Sequence, residues 1–210
     1  MRIAIIGAGN VGATLGSRWA KAGHEIVFGV RDPNHEKMQH LIKSIGRNAS
    51  VDSIDKAAAA AEAVVLATPW GTAQEVIRTA GNLIEKIVID CTNPLKEDLS
   101  GLSVGFATSA AEQIANWAKG AKVVKAFNTI GSKNMANPVY GSDKITMFIC
   151  GDDREAKKIV SGLADELGFH VVDTGALMTA RYLEPMAMLW IHMAFAGGYG
   201  EDFAFKMLKR

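Results

Sequence analysis

The sequence predicts an α/β fold, a doubly wound parallel sheet with a small C-terminal helical extension. Three observations carry that expectation. Short β-branched runs alternate with helical patterns along most of the chain, the mark of a parallel sheet covered by helices on both faces. Several of these runs are continuously apolar, as in Val64-Val65-Leu66 and Ile87-Val88-Ile89, which suits strands buried on both sides. The alternation stops after about Asp173, where a tail rich in Met, Trp and Phe begins.

In chain order, strands are expected at Arg2–Ile6, Glu25–Phe28, Ala63–Ala67, Lys86–Asp90, Lys122–Ala126, Thr146–Cys150 and His170–Asp173. Helices are expected at Asn10–Ala22, His35–Ile45, Ser53–Ala61, Thr72–Ala80, Ala110–Ala118, Arg154–Leu167 and Tyr182–Ala196. The helix after Ser109 carries a start signal. Glu112 stands three residues on, the spacing of a capping box in which each side chain satisfies a free backbone N–H. The alanine run 57–61 needs no special role, since alanine is the best helix former. No internal repeat or long linker separates independent domains, and the expected division is 1–173 and 174–210.

Composition removes several function classes. A hydrophobic share of 49% and a charged share of 21% describe an ordinary soluble globular protein. Basic and acidic residues nearly balance at 23 and 22, which leaves no electrostatic footprint for nucleic acid or an anionic membrane. The two cysteines, Cys91 and Cys150, are too isolated for a disulfide scaffold or a metal site and fit a reducing cytoplasm. Arg2 leads straight into the first apolar run, so no secretory signal is read, and no apolar run reaches the ~20 residues of a membrane span. A cytoplasmic protein without a metal is expected.

The first strand ends in Gly7-Ala8-Gly9-Asn10-Val11-Gly12, a G-x-G-x-x-G that opens a helix within a βαβ unit. In that context the pattern is the Rossmann fingerprint for a dinucleotide. Gly7 permits the tight turn, Gly9 lets the backbone approach a pyrophosphate, and Gly12 lets helix and strand pack closely. Free N–H groups at the helix start then meet the negative charge. The end of the second strand selects the nucleotide. Where an NAD enzyme places an acid, this chain has Gly29-Val30-Arg31, and the arginine fork suits a 2′-phosphate. NADP is expected, with Asp32 leaving a ribose contact open.

Ligands of open α/β sheets bind outside the carboxyl ends of the strands. Three loops leave those ends with unusual residues: Thr68-Pro69-Trp70, Cys91-Thr92-Asn93-Pro94 and Phe127-Asn128-Thr129-Ile130-Gly131. Together they are expected to wall a nicotinamide. Thr68, Pro69, Asn128 and Ile130 are candidates for the reacting end, and Trp70 and Asn93 for further cofactor contact. None of the five histidines falls in these loops, and no G-x-S-x-G nucleophile elbow occurs. A site without an evident general acid or base is poorly equipped for alcohol oxidation or hydrolysis. It suits hydride transfer between stacked cofactor rings, where positioning and water exclusion carry the task.

These residues resemble the NADPH-dependent reductases of the deazaflavin coenzyme F420, the F420H2:NADP oxidoreductases. The likeness runs through Arg2–Gly12, Gly23-His24-Glu25-Ile26-Val27 with Gly29 and Arg31, Pro69-Trp70, Ser109-Ala110-Ala111-Glu112, Gly151-Asp152-Asp153, and Arg181 with Leu183-Glu184. The resemblance implies an N-terminal NADP domain and a small C-terminal part that helps form a second-cofactor pocket and a homodimer. Asn128 stands where archaeal members have histidine, and Val30 where a serine is usual. The segment Lys125-Ala126-Phe127-Asn128-Thr129 is more similar to the reductase domain of the six-transmembrane epithelial antigen metalloreductases, which pass hydride from NADPH to a flavin. The electron partner is thus F420, a flavin or another small acceptor. Two other readings stay open: an NADP-binding sensor without turnover, and a small imine or hydroxyacid reductase. The latter types use a longer helical C-terminal domain. In the tail, Leu183, Met186, Ala187, Trp190, Ile191 and Ala194 form a helical stripe, and a symmetric dimer contact is expected. His192, in the same tail, reads as a core or interface histidine.

Overall fold

The computed structural model describes residues 1–210. Its elements in chain order are β1 (Arg2–Ile6), α1 (Asn10–Lys21), β2 (Glu25–Val30), α2 (Glu36–Ile45), β3 (Ala49–Ser53), α3 (Ile54–Ala60), β4 (Ala63–Leu66) and α4 (Trp70–Ala80). They continue as β5 (Ile87–Asp90), α5 (Ala110–Trp117), β6 (Lys122–Lys125), α6 (Ser132–Ala136), β7 (Val139–Tyr140), β8 (Asp143–Lys144) and β9 (Thr146–Gly151). Last come α7 (Arg154–Glu166), β10 (His170–Asp173), a 3-10 turn at Leu177–Thr179, α8 (Ala180–Ile191) and a π-helical turn at His192–Ala196.

Eight strands form one sheet in the order β10-β9-β6-β5-β4-β1-β2-β3. From β3 to β6 every pair is parallel, which is the Rossmann order, and the chain reverses direction across the sheet between β1 and β4. The expectation of a parallel sheet needs one correction. β9 runs antiparallel to β6, and β10 then pairs parallel with β9, so the sheet is mostly parallel with a reversed edge. The hairpin β7–β8 and the short α6 fill the β6–β9 connection and supply the reversal.

Alternation of side chains along the buried strands divides the core in two. Ile3 and Ile5 face α1 and α7 with Trp19, Phe127 and Phe169, while Ala4 and Ile6 face α3, α4 and α5 with Val64, Leu66 and Ile114. The continuous apolar runs exist because both faces are covered. β3 escaped the sequence reading because it is an edge strand with a half-exposed, polar sequence.

The tail after Asp173 folds back onto the sheet. Leu183, Ala187 and Trp190 bury one face of α8, and the Trp190 ring stacks on Phe203 with centroids 5.3 Å apart. The Trp190 indole N–H donates to the Phe203 carbonyl, and Asn134 donates to the carbonyls of Glu201 and Phe203. The last segment reaches the start of β9, where the Met207 N–H donates to Thr146 Oγ1. His192 is exposed, so it is not a core histidine. No helix is long and apolar enough to cross a membrane.

Candidate functional site

The glycine turn lies at the sheet's switch point, beside the end of β4. Gly7 has φ +106°, and a side chain there would strike the Ala67 carbonyl. A side chain at Gly12 would strike the Gly7 carbonyl, which is the close helix–strand approach that its spacing implies. At Gly9, by contrast, a Cβ would meet nothing within 4 Å, so the backbone there borders open space. Gly9 caps α1 with no side-chain hydrogen bond, and the first turn, Asn10-Val11-Gly12, carries no acid. Pro69 begins α4 in the same way. Two helix N-termini therefore bring unfilled N–H groups and positive dipole ends to one place, a ready anion site.

Between them opens a cleft of about 390 Å³ lined by Gly7, Ala8, Gly9, Gly29, Val30, Arg31, Thr68 and Pro69, with Ile54, Thr72, Val76 and Thr79 deeper along α3 and α4. Gly29 is buried against Ile6, Ala57 and the Ile54 backbone, the nearest atom 2.5 Å from where a Cβ would sit. A side chain there would have to push the Ile6 δ-methyl aside and press on Ala57 and the α3 backbone, so the missing acid goes with the close packing of α3. Asp32 is exposed, with Oδ1 accepting from the Asn34 N–H at 3.0 Å in a local turn. Arg31 is exposed beside the cleft and engages in no ion pair.

The reacting edge is built by the loops after β4, β5 and β6. The Asn93 amide donates to the Asn128 carbonyl at 2.8 Å, and the Asn128 amide donates to Asn93 Oδ1 at 3.0 Å and to the Leu183 carbonyl at 3.2 Å. Three buried side-chain oxygens here have no hydrogen-bond partner: Thr68 Oγ1, Asn128 Oδ1 and Thr129 Oγ1. Leaving such atoms unpaired costs about 1–3 kcal/mol each; all three are fully buried rather than open to the cleft. Ile130 packs into the core beside them. Trp70 goes elsewhere: its ring stacks on Trp117 with centroids 5.3 Å apart and does not line the cleft.

The sequence reading missed a buried ionic cluster directly beneath this edge. The Lys125 ammonium lies 2.8 Å from Asp90 Oδ2 and 2.9 Å from Glu184 Oε1, all three side chains being at most 1% exposed. It also donates to the Thr92 carbonyl at 2.6 Å. Asp90 Oδ1 accepts from the Thr92 N–H and hydroxyl. Glu184 reaches from α8 to accept from the Ala110 and Ala111 N–H groups, capping α5 from a distance. Burial alone would push the lysine pKa down, but the charges and hydrogen bonds of Asp90 and Glu184 outweigh it and raise it. Removing one member would cost about 3–5 kcal/mol, whereas apolar residues of matching shape would cost little. A lysine amid a β-strand run gives no sequence signal of this kind; the late Leu183-Glu184 pair was the nearest hint.

Ser109 forms the forward half of its capping box, accepting from the Glu112 N–H. The Glu112 carboxylate then turns to Arg181, whose Nε and Nη2 donate at 2.9 and 2.6 Å. Burial pushes both thiols up, Cys150 to about 12, so neither is primed as a nucleophile.

Residues 2–94 match the family model described as NADP oxidoreductase, coenzyme F420-dependent. The F420-dependent NADP reductase of Methanothermobacter marburgensis is 31% identical, the alignment covering 92% of each chain. The chain belongs to the F420-dependent NADP reductase family. The expectation of an NADP-dependent oxidoreductase is borne out at the level of this family. A solved structure of a candidate F420-dependent NADP reductase from Arthrobacter sp. FB24 is similar over the whole of both chains, with 32% identity and a TM-score of 0.91. The metalloreductase STEAP3 of Rattus norvegicus is 30% identical over 89% of this chain, which spans only 36% of that protein's length. Both halves of the resemblance carried by the sequence motifs are therefore present among relatives.

Proposed function

We propose that this member of the F420-dependent NADP reductase family transfers hydride between NADP(H) and a deazaflavin of the coenzyme F420 type. One observation carries the reading: the Gly7–Gly9 turn, Arg31, Thr68 and Pro69 line a single cleft at the end of the sheet. A bound nicotinamide supplies the hydride chemistry. The chain's part is to bind, orient and exclude water. The Gly7–Gly12 turn and the uncapped starts of α1 and α4 hold the pyrophosphate, and Arg31 holds the 2′-phosphate. Thr68 and Pro69 line the cleft and would border the nicotinamide, and Asn128 would support that edge from behind through its hydrogen bonds to Asn93 and the Leu183 carbonyl. Asn93 keeps the Asn128 amide in place. Residues 174–210 form a C-terminal subdomain that completes the second-cofactor pocket and the contact of a homodimer, in a cytoplasmic protein that binds no nucleic acid.

A flavin acceptor is the second reading, favoured by the match to a metalloreductase and by the Lys125–Thr129 segment. Anaerobic mixing of NADPH-loaded protein with F420, FMN and FAD separates the two. Oxidation fastest with F420 is expected; preference for FMN or FAD would favour the second reading, and no oxidation with any would overturn both.

A further inference from the structure

The cleft that begins at the glycine turn runs on along α3 and α4, and Glu75 stands in its wall. It is the only acid among the lining residues of a cleft otherwise prepared for an anion, and its exposed carboxylate pairs with no cation. We propose that Glu75 is a specificity-determining residue for the base of the cofactor. With the hydroxyl oxygens of Thr72 and Thr79 it makes this side of α4 a row of hydrogen-bond acceptors that takes a 6-aminopurine and turns away a 6-oxopurine. This rests on the reading that the cleft holds NADP(H).

The place of the base follows from its neighbours in the dinucleotide. With the pyrophosphate at the glycine turn and the 2′-phosphate at Arg31, the purine on the same ribose reaches the part of the cleft that lies past both. There Ile54 and Val76 contribute apolar lining, which suits the flat face of a purine. The edge of the base then meets α4. Thr72, Glu75, Val76 and Thr79 follow one another at i, i+3, i+4 and i+7, so they form a single stripe of that helix, and all four line the cleft.

The polar groups of this stripe have no donor to offer. The Thr72 hydroxyl donates to the Pro69 carbonyl at 3.0 Å, and the Thr79 hydroxyl donates to the Glu75 carbonyl at 2.9 Å. Each hydroxyl has one proton, so both turn lone pairs toward the cleft, and an ionised carboxylate only accepts. A 6-amino group brings the N–H donors that such a row lacks. A 6-oxo base puts an oxygen in that place, acceptor against acceptor. Its N1–H could serve one oxygen of the row only with O6 turned against the next. A threonine that swung round to donate to O6 would give up its bond to the helix backbone.

The test titrates the full chain calorimetrically with 2′,5′-ADP, the adenosine half of NADP, and with 2′,5′-IDP, which carries hypoxanthine instead of adenine. Wild type should favour 2′,5′-ADP by about three- to tenfold, the range of one modest hydrogen bond, because Glu75 is exposed. In Glu75→Gln the ratio should fall to about one, since an amide presents either its NH2 or its carbonyl to the base. In Glu75→Ala it should fall below about twofold. Loss of the negative charge shifts affinity for both ligands alike, so the ratio isolates the acceptor. The side chain is exposed, so neither change disturbs the core. Failure of wild type to bind either ligand would overturn the NADP reading of the cleft. Equal binding of both by wild type would overturn the selection of the base alone. A full preference kept in Glu75→Gln would take that selection away from Glu75.

Discussion

At the end of β2, what is missing bears on a choice between nucleotides as much as what is present. Gly29 carries no side chain and packs tightly against Ile6 and α3, while exposed Asp32 commits one carboxylate oxygen to the Asn34 N–H. Gly29 therefore offers no acid to grip a ribose diol at the usual position. Arg31 is left exposed at the mouth of the cleft with its donors free. Charge-assisted hydrogen bonds to a phosphate are worth about 1.5–3 kcal/mol, so Arg31→Ala should weaken NADPH binding by about ten- to a hundredfold. NADH binding should hardly change. Fluorescence titration of both nucleotides checks this, and equal loss for both would remove the arginine from the 2′-phosphate. The place of Arg31 at the cleft was legible because it follows the second strand of a motif of known geometry. Glu184 was not: a glutamate between apolar helix positions reads as ordinary surface charge, and only tertiary packing brings it to Lys125 and the start of α5.

At the scale of elements, periodicity located what is buried on both faces and lost what is not. β1, β4 and β5 stand out as apolar runs, whereas β3 is polar and half-exposed and the β7–β8 hairpin is short and exposed. The reversal of β9 is also hidden, since a strand's apolar run carries no direction. The Trp70–Trp117 stack likewise depends on how α4 and α5 pack. The α5–α8 junction has a pH signature. Hydrogen bonds from Arg181 hold the Glu112 carboxyl below its ordinary value of 4.5. A depressed folded pKa contributes stability that is fully present above the unfolded value and is lost as pH falls through the folded one. Glu112→Gln should therefore lower stability by about 1 kcal/mol at neutral pH, a modest figure because the pair is partly solvent-screened. The difference from wild type should shrink below pH 4.5 and vanish in stronger acid. Denaturant melts across pH measure it, and a gap that stays constant into acid would remove the ion pair as its cause.

For the whole molecule, the tail is the surface through which copies would meet. One face of α8 is used internally, with Leu183, Ala187 and Trp190 packed onto the sheet domain. The other face and the segment after it leave Leu189 at 51%, Phe195 at 63% and Tyr199 at 70% exposed, close together in the chain. Large apolar groups gathered on one exposed segment are a burden in a monomer and an asset in a symmetric contact, where the same patch covers itself. The internal anchors, Trp190 on Phe203 and Asn134 on the Glu201 and Phe203 carbonyls, would hold that segment in a defined shape for a partner. Light scattering behind size-exclusion chromatography should give twice the 22.4 kDa chain mass at micromolar concentration. Phe195→Asp should yield a monomer that still binds 2′,5′-ADP, because the cleft between α1 and α4 lies on the sheet domain and does not include Phe195. A wild-type chain running as a clean monomer would sink the dimer, and would assign the exposed tail to the second cofactor instead.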